Sequence, residues 1–168
     1  MIKVRPAGAR DGDALGEVHA AAWAVAYAPM FQPDFAAREV ESRRGRWHQR
    51  IAESTSLILL AELDGRPLAL SYCVPSATRS GLAEIYSFYG HPEGWGSGVA
   101  TALMTETLHN LHGNRYAEVH LWTLRSTAQS RRFYAKCGFT ESGAERTYDF
   151  GDGQLFGQLE YRRAVGPQ

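Results

Sequence analysis

Hydrophobic and polar positions alternate over Ile2-Lys-Val-Arg-Pro6, the two-residue period of a strand, and proline ends it. After Asp11, a good N-cap, the period lengthens: Leu15, Val18, His19 and Ala22 share one face of a helix reaching about Ala22. Pro33-Asp34 starts a second helix that runs to about Ala52, with Val40, Trp47 and Ile51 on its apolar side. Leu57–Glu62 reads as an apolar strand, Asp64-Gly65 as a hairpin turn and Pro67–Val74 as the return strand. Glu84–Tyr89 is the next strand. A helix follows from about Val99 to Leu111, with Leu103, Met104, Leu108 and Leu111 inward and Gly113 as a left-handed cap. Tyr116–Thr123 is a buried strand, Ala128–Cys137 a helix stopped by Gly138, and Phe139 opens another strand. Asp152-Gly153 marks a second hairpin, Leu155, Gly157, Leu159 and Tyr161 alternate in the last strand, and Gly166-Pro167-Gln168 is a frayed tail. The order β-α-α-β-β-β-α-β-α-β-β surrounds one βαβ crossover with antiparallel hairpins, which gives an α+β fold with a mixed sheet.

Length and composition narrow the class. The 168 residues fit one domain, 1–168, large enough for a real core. Formal net charge is zero, which argues against a broad nucleic-acid-binding face. No apolar run reaches membrane-spanning length and no leader precedes Lys3, so a cytoplasmic protein is expected. Cys73 and Cys137 read as small buried apolar residues. His109 and His112, three apart on a helix, read as a surface pair, because a zinc site needs more converging ligands; no metal is expected.

The candidate chemistry lies between strand and helix, at Tyr89-Gly-His-Pro-Glu-Gly-Trp-Gly-Ser-Gly-Val-Ala-Thr101. Gly94, Gly96 and Gly98 let the backbone turn tightly beside a ligand. The first helical turn then presents unpaired N–H groups and the positive end of the dipole, a site suited to phosphate oxygens. A Walker-type P-loop is excluded, since no lysine stands between Lys3 and Lys136. A dinucleotide fingerprint is incomplete: Thr101 stands at the third glycine position, and some 90 residues precede the loop.

Two blocks carry a family resemblance. Glu84-Ile-Tyr-Ser-Phe-Tyr-Gly-His-Pro92 with Trp95-Gly-Ser-Gly98-Val-Ala100 resembles motif A of the GCN5-related N-acetyltransferase (GNAT) superfamily. Thr127-Ala-Gln-Ser-Arg131-Arg-Phe-Tyr134, followed by Gly138-Phe139, resembles its motif B. Trp95 departs from the usual Gln or Arg, Ser97 from Arg or Lys, Thr127 from Asn, Gly90 from Val and Ala69 from Gly. The resemblance implies a mostly antiparallel central sheet flanked by helices, whose crossover carries the pyrophosphate loop.

It also implies acetyl-CoA as cosubstrate and an amine as acceptor. The diphosphate would sit on the amides of Trp95, Gly96, Ser97, Gly98, Val99, Ala100 and Thr101, with Thr127 and Arg131 as further cofactor-binding positions. A backbone N–H near Phe88 or Tyr89 would polarise the acetyl carbonyl. Tyr134 matches the family's general acid, and an unperturbed phenol stays protonated at neutral pH. Glu84, 14 residues before Gly98, matches a general-base glutamate. Their structural alternatives are a core tyrosine and a strand glutamate satisfied by a neighbour.

Trp23, Tyr27 and Phe31, in an aromatic stretch broken by Pro29, read equally as a core plug and as a lid over the acceptor, and Tyr86 joins them as a substrate-facing position. Arg43, Arg44, Arg46 and Arg50 read as a solvated helix face, with attraction for an acidic acceptor as a second reading. The leading expectation is a small-molecule N-acetyltransferase acting on an amino acid, polyamine or aminoglycoside. A protein or peptide N-acetyltransferase and a non-catalytic acyl-CoA-binding module are the alternatives. A homodimer is expected from the resemblance, since family members often pair.

Overall fold

The computed structural model describes residues 1–167, so the Gln168 end of the expected frayed tail lies outside the described residues. Its strands are β1 (Ile2–Pro6), β2 (Leu57–Leu63), β3 (Arg66–Pro75), β4 (Ala83–Gly90), β5 (Glu118–Leu124), β6 (Thr140–Asp149) and β7 (Leu155–Ala164). Its helices are α1 (Gly12–Ala26), α2 (Pro33–Gly45), α3 (Trp47–Glu53), α4 (Val99–Gly113) and α5 (Ala128–Lys136). The strands form one sheet in the order β1-β2-β3-β4-β5-β7-β6. β4 and β5 pair in parallel, as the α4 crossover requires, while β1–β2, β2–β3, β5–β7 and β6–β7 are antiparallel. The mixed, mostly antiparallel sheet read from the sequence is the one observed.

The chain gathers into two compact units. The first comprises Met1–Cys73 and Ser87–Thr107. Here β2 shows why a fully apolar strand is needed. Ile58 and Leu60 point to one face and pack with Leu15, Val18, Trp47 and Leu70. Leu59 and Ala61 point to the other and pack with Leu68, Ala69, Val99 and Leu103. Successive side chains alternate across a strand, so a strand covered on both faces must be apolar at every position. Each large side chain so buried contributes about 2 kcal/mol. The hairpin at Asp64-Gly65 forms as read, with φ of 50° and 85°.

The second unit comprises Val74–Tyr86 and the chain from Leu108 onward. The register Leu121↔Tyr161 and Thr123↔Leu159 places these side chains on one face. On that side Tyr134 of α5 is buried, its ring 5.9 Å from Phe139 and 6.2 Å from Tyr161.

Four local readings are corrected. Asp11 does not cap α1 with its side chain: the carboxylate takes two bonds from Arg5, at 2.8 and 2.9 Å, and one from the Gly8 amide. The single helix from Pro33 to Ala52 is two, because the chain breaks at Gly45-Arg46, where a poor helix former precedes a Trp47 that turns fully inward. Gly113 remains helical; the left-handed residue is Arg115, with Arg115 N–H to His112 O and Tyr116 N–H to Leu111 O closing the helix. This holds Tyr116 in the cap, and β5 starts two residues later. Finally, the arginine face is not solvated throughout: Arg43 is buried, with its Cζ 4.4 Å over the Trp23 ring.

Candidate active site

The loop between β4 and α4 is built by two left-handed glycines, Gly96 at φ 78° and Gly98 at φ 94°. A side chain at either would strain the backbone. The first bond of the α4 ladder runs from Ala102 N–H to Gly98 O at 3.0 Å. The amides of Gly98, Val99, Ala100 and Thr101 therefore precede the ladder and have no intrahelical acceptor. Val99 N–H has only a long 3.4 Å contact with Ser97 Oγ.

Two expected cradle amides point elsewhere. Trp95 N–H donates to Pro92 O and Ser97 N–H to Gly94 O, both at 3.2 Å. The side chains brace the same bend: Ser97 Oγ–H donates to Gly94 O at 2.5 Å, and Trp95 Nε1–H to Gly90 O at 3.1 Å. The part of the loop that fits a diphosphate is thus Gly96 together with the first turn from Gly98 to Thr101. Just upstream in β4, Phe88 packs beside Val99 and Leu103, while Tyr89 stacks on His19 at 4.1 Å.

In the second unit Glu84 and Tyr86 lie two apart on β4 and share a face, Glu84 in register with His120 of β5. Tyr86 is exposed and Glu84 half-buried. Glu84 Oε1 lies 3.9 Å from His120 Nε2, beyond hydrogen-bond range, and accepts no hydrogen bond among the described residues. His120 itself is fully buried. Ser76 Oγ accepts from the amides of Thr78 and Arg79 and lies 2.6 Å from His120 Nε2. Its own proton therefore goes to Nε2, which leaves the His120 proton on Nδ1, 2.9 Å from Glu160 Oε2 but at too bent an angle for a formed hydrogen bond. Burial pulls His120 below the usual histidine range, against Glu84 and Glu160, so it is neutral. Glu160 is buried and takes two bonds from Arg79, at 2.8 and 3.0 Å, and one from Ser142 at 2.6 Å.

Arg131 is engaged within this unit. It donates to Tyr161 Oη, to the Arg125 carbonyl and to Glu141 Oε1 at 3.2, 3.1 and 2.8 Å, and the bonds that Glu141 accepts from Arg131 and Tyr161 hold it below the usual carboxylate range. The Arg131 side chain stays partly exposed. Thr127 is half-buried at the start of α5, its N–H bonded to Leu124 O, and its side chain does not cap the helix.

The aromatic stretch divides. Trp23 and Phe31 are buried and stacked at 5.5 Å, the core-plug arrangement, while Tyr27 is half-buried, its ring 6.0 Å from Trp23. His19 is buried and packed, as read, and accepts from Trp47 Nε1–H at 3.1 Å. His109 and His112 are exposed, and no group of three or more metal-ligating side chains converges among the described residues.

Sequence reasoning missed His120 and its Arg79–Glu160 anchor. The alternation Glu118-Val-His-Leu-Trp122 was a signal that His120 faces Glu84, but only the register of β4 with β5 makes the pair.

The sequence pattern of the Acetyltransferase (GNAT) family matches residues 20–139, from α1 to the end of motif B. The chain belongs to the GNAT family of acetyltransferases. Among solved structures, it is similar to the PaiA N-acetyltransferase of Thermoplasma acidophilum in complex with coenzyme A, at 20% identity and TM-score 0.76, over 95% of this chain and 98% of that one. The yncA protein of Salmonella typhimurium with its cofactor acetyl-CoA aligns at 18% identity and TM-score 0.70, over 99% and 95% of the two chains. The ribosomal-protein-alanine N-acetyltransferase of Brucella melitensis aligns at 18% identity and TM-score 0.71, over 96% and 99%. No curated protein matches the chain. No helix among the described residues is long and apolar enough to cross a membrane.

Proposed function

We propose that the protein transfers an acetyl group from acetyl-CoA to a primary amine of a small molecule by direct attack. The observation that carries this reading is the start of α4, where the amides from Gly98 to Thr101 precede the first helical bond behind two left-handed glycines. They offer converging donors and a dipole end to the cofactor's diphosphate. Acetyl-CoA supplies an activated thioester. The chain's residues hold it, take a proton from the amine and return one to the leaving sulfur.

Glu84 is the base in this scheme. Its carboxylate is half-buried yet accepts no hydrogen bond among the described residues, and the neighbouring His120 is neutral and offers it no proton. It can take the ammonium proton directly or through one water. Tyr134 is the acid, its hydroxyl handing a proton to the leaving thiolate. A backbone N–H at Phe88 or Tyr89 polarises the acetyl carbonyl. Tyr86, exposed and on the same face of β4 as Glu84, borders the acceptor. A peptide N-terminus is the alternative acceptor, favoured by the fold shared with the ribosomal-protein-alanine enzyme.

A thiol-release assay over a panel of amines tests the reading, with acetyl-CoA binding followed by calorimetry. Catalysis releases free CoA, whereas a binding module only takes it up. Tyr134→Phe is expected to lower turnover about a hundredfold while leaving acetyl-CoA affinity within about twofold. Parental turnover in that variant would remove Tyr134 from the mechanism.

A further inference from the structure

In the first unit three arginines lie close to buried donors: Arg43 near the end of α2, Arg46 at the break after it and Arg50 in α3. Arg43 is only 8% exposed and bonds Glu39 Oε2 at 3.0 Å, but its buried Nε has no hydrogen-bond partner among the described residues. Among the described residues Arg46 bonds Ser42 alone, at 3.0 Å to the hydroxyl and 3.4 Å to the carbonyl. The Arg50 Cζ sits 4.7 Å from the Trp47 ring centroid and 4.9 Å from that of Tyr72.

His19 adds a second orphan. Trp47 donates to its Nδ1, so the ring proton is on Nε2, and that buried donor also has no partner among the described residues. Burial, then the three arginines in turn, push its pKa down to about 2, so it stays a neutral donor. Loss of solvent, with Arg43 and Arg50 adding to it, pulls Arg46 below the usual arginine range. Buried donors without acceptors are costly, and like charges in poor solvent repel. An anion relieves both. The same shell includes Tyr89, stacked on His19 at the end of β4.

We propose that Arg43, Arg46 and Arg50, with the Nε2–H of His19, form a carboxylate-binding site beside Tyr89, and that the acceptor is a zwitterion: an amine that also carries a carboxylate, as an α-amino acid does. This rests on the reading of the chain as an N-acetyltransferase and narrows its substrate. Guanidinium groups bind carboxylates through charge-assisted, often paired hydrogen bonds. The same charges repel polyamines and aminoglycosides, which removes two of the three acceptor classes read from the sequence.

The test compares kcat/KM for α-amino acids with that for the amines left when their carboxylate is removed, such as phenylalanine against phenethylamine, with spermidine as a polycation. The carboxylate is expected to raise kcat/KM about tenfold to a hundredfold. Arg46→Gln should cut that advantage at least about tenfold. Equal or better use of phenethylamine or spermidine overturns the proposal. If no amine is acetylated although acetyl-CoA binds, the enzyme reading fails, and binding alone decides this one. Saturable quenching of tryptophan emission by the amino acids, lost in Arg46→Gln, would uphold the site; no quenching would sink it.

Discussion

His19 and His120 are both buried and both neutral, yet they keep opposite company. His120 receives a proton from Ser76 at one nitrogen and turns the other toward Glu160, whose carboxylate is held by Arg79 and Ser142. His19 accepts from Trp47, and its own Nε2 proton meets no acceptor among the described residues, while Arg43 beside it bonds Glu39. The buried carboxylate of Glu160 is matched by its neighbours, and the buried donors His19 Nε2 and Arg43 Nε are not matched among the described residues. A matched network holds a fold in place, and an unmatched one waits for a ligand. Beside that network Glu84 is the exception, close to His120 but accepting no hydrogen bond among the described residues, and it is the group given the proton-transfer role.

The largest effect should come from breaking the matched network. Glu160→Gln leaves Arg79 without its counter-charge and should lower stability by about 3 kcal/mol, near the low end for a buried pair because Arg79 is partly solvated. Urea unfolding at neutral pH measures it, and a loss under 1 kcal/mol, on the order of an ordinary surface change, would mean the network is not structural. Glu84→Gln should leave that stability intact, lower kcat/KM about a hundredfold and erase the acidic limb of its pH profile. An unchanged pH profile would show that another group takes the proton.

Acid acts on His19 mainly through the unfolded chain. An unfolded histidine binds a proton below its ordinary value of about 6.5, whereas folded His19 resists until about 2. The unfolded state thus binds more protons, and stability, complete above the unfolded value, declines as pH falls. Between about pH 6 and 4 His19 should contribute a fall of about 1.4 kcal/mol per pH unit. The slope should flatten by that amount in His19→Gln, and identical slopes would show that the folded ring takes up protons after all. The smallest effect is expected at Arg46. Because it bonds Ser42 alone among the described residues, Arg46→Gln should change stability by no more than about 0.5 kcal/mol, whatever it does to acceptor use. A large loss of stability would place Arg46 among the structural groups instead.

The strands and the crossover were legible because alternation along β2 and the glycines before α4 are local signals that physics reads in one way. The loop was legible down to its first-turn amides. What stayed hidden depended on partners distant in sequence. Asp11 looks like a cap until Arg5 is seen to hold it, and Arg43 looks solvated until Trp23 lies beneath it. Gly113 lost the helix end to Arg115, since a Schellman closure can be placed two residues on wherever the following chain supports it. His120 reads as one more residue of a buried strand until Glu160, forty positions on, turns out to lie against it.

The bend before α4 keeps its shape through its own side chains. With the Ser97 hydroxyl tied to Gly94 O and the Trp95 indole tied to Gly90 O, the turn is already set when the coenzyme arrives. In the role proposed for it, a bend already set leaves little entropy to lose when the coenzyme is captured.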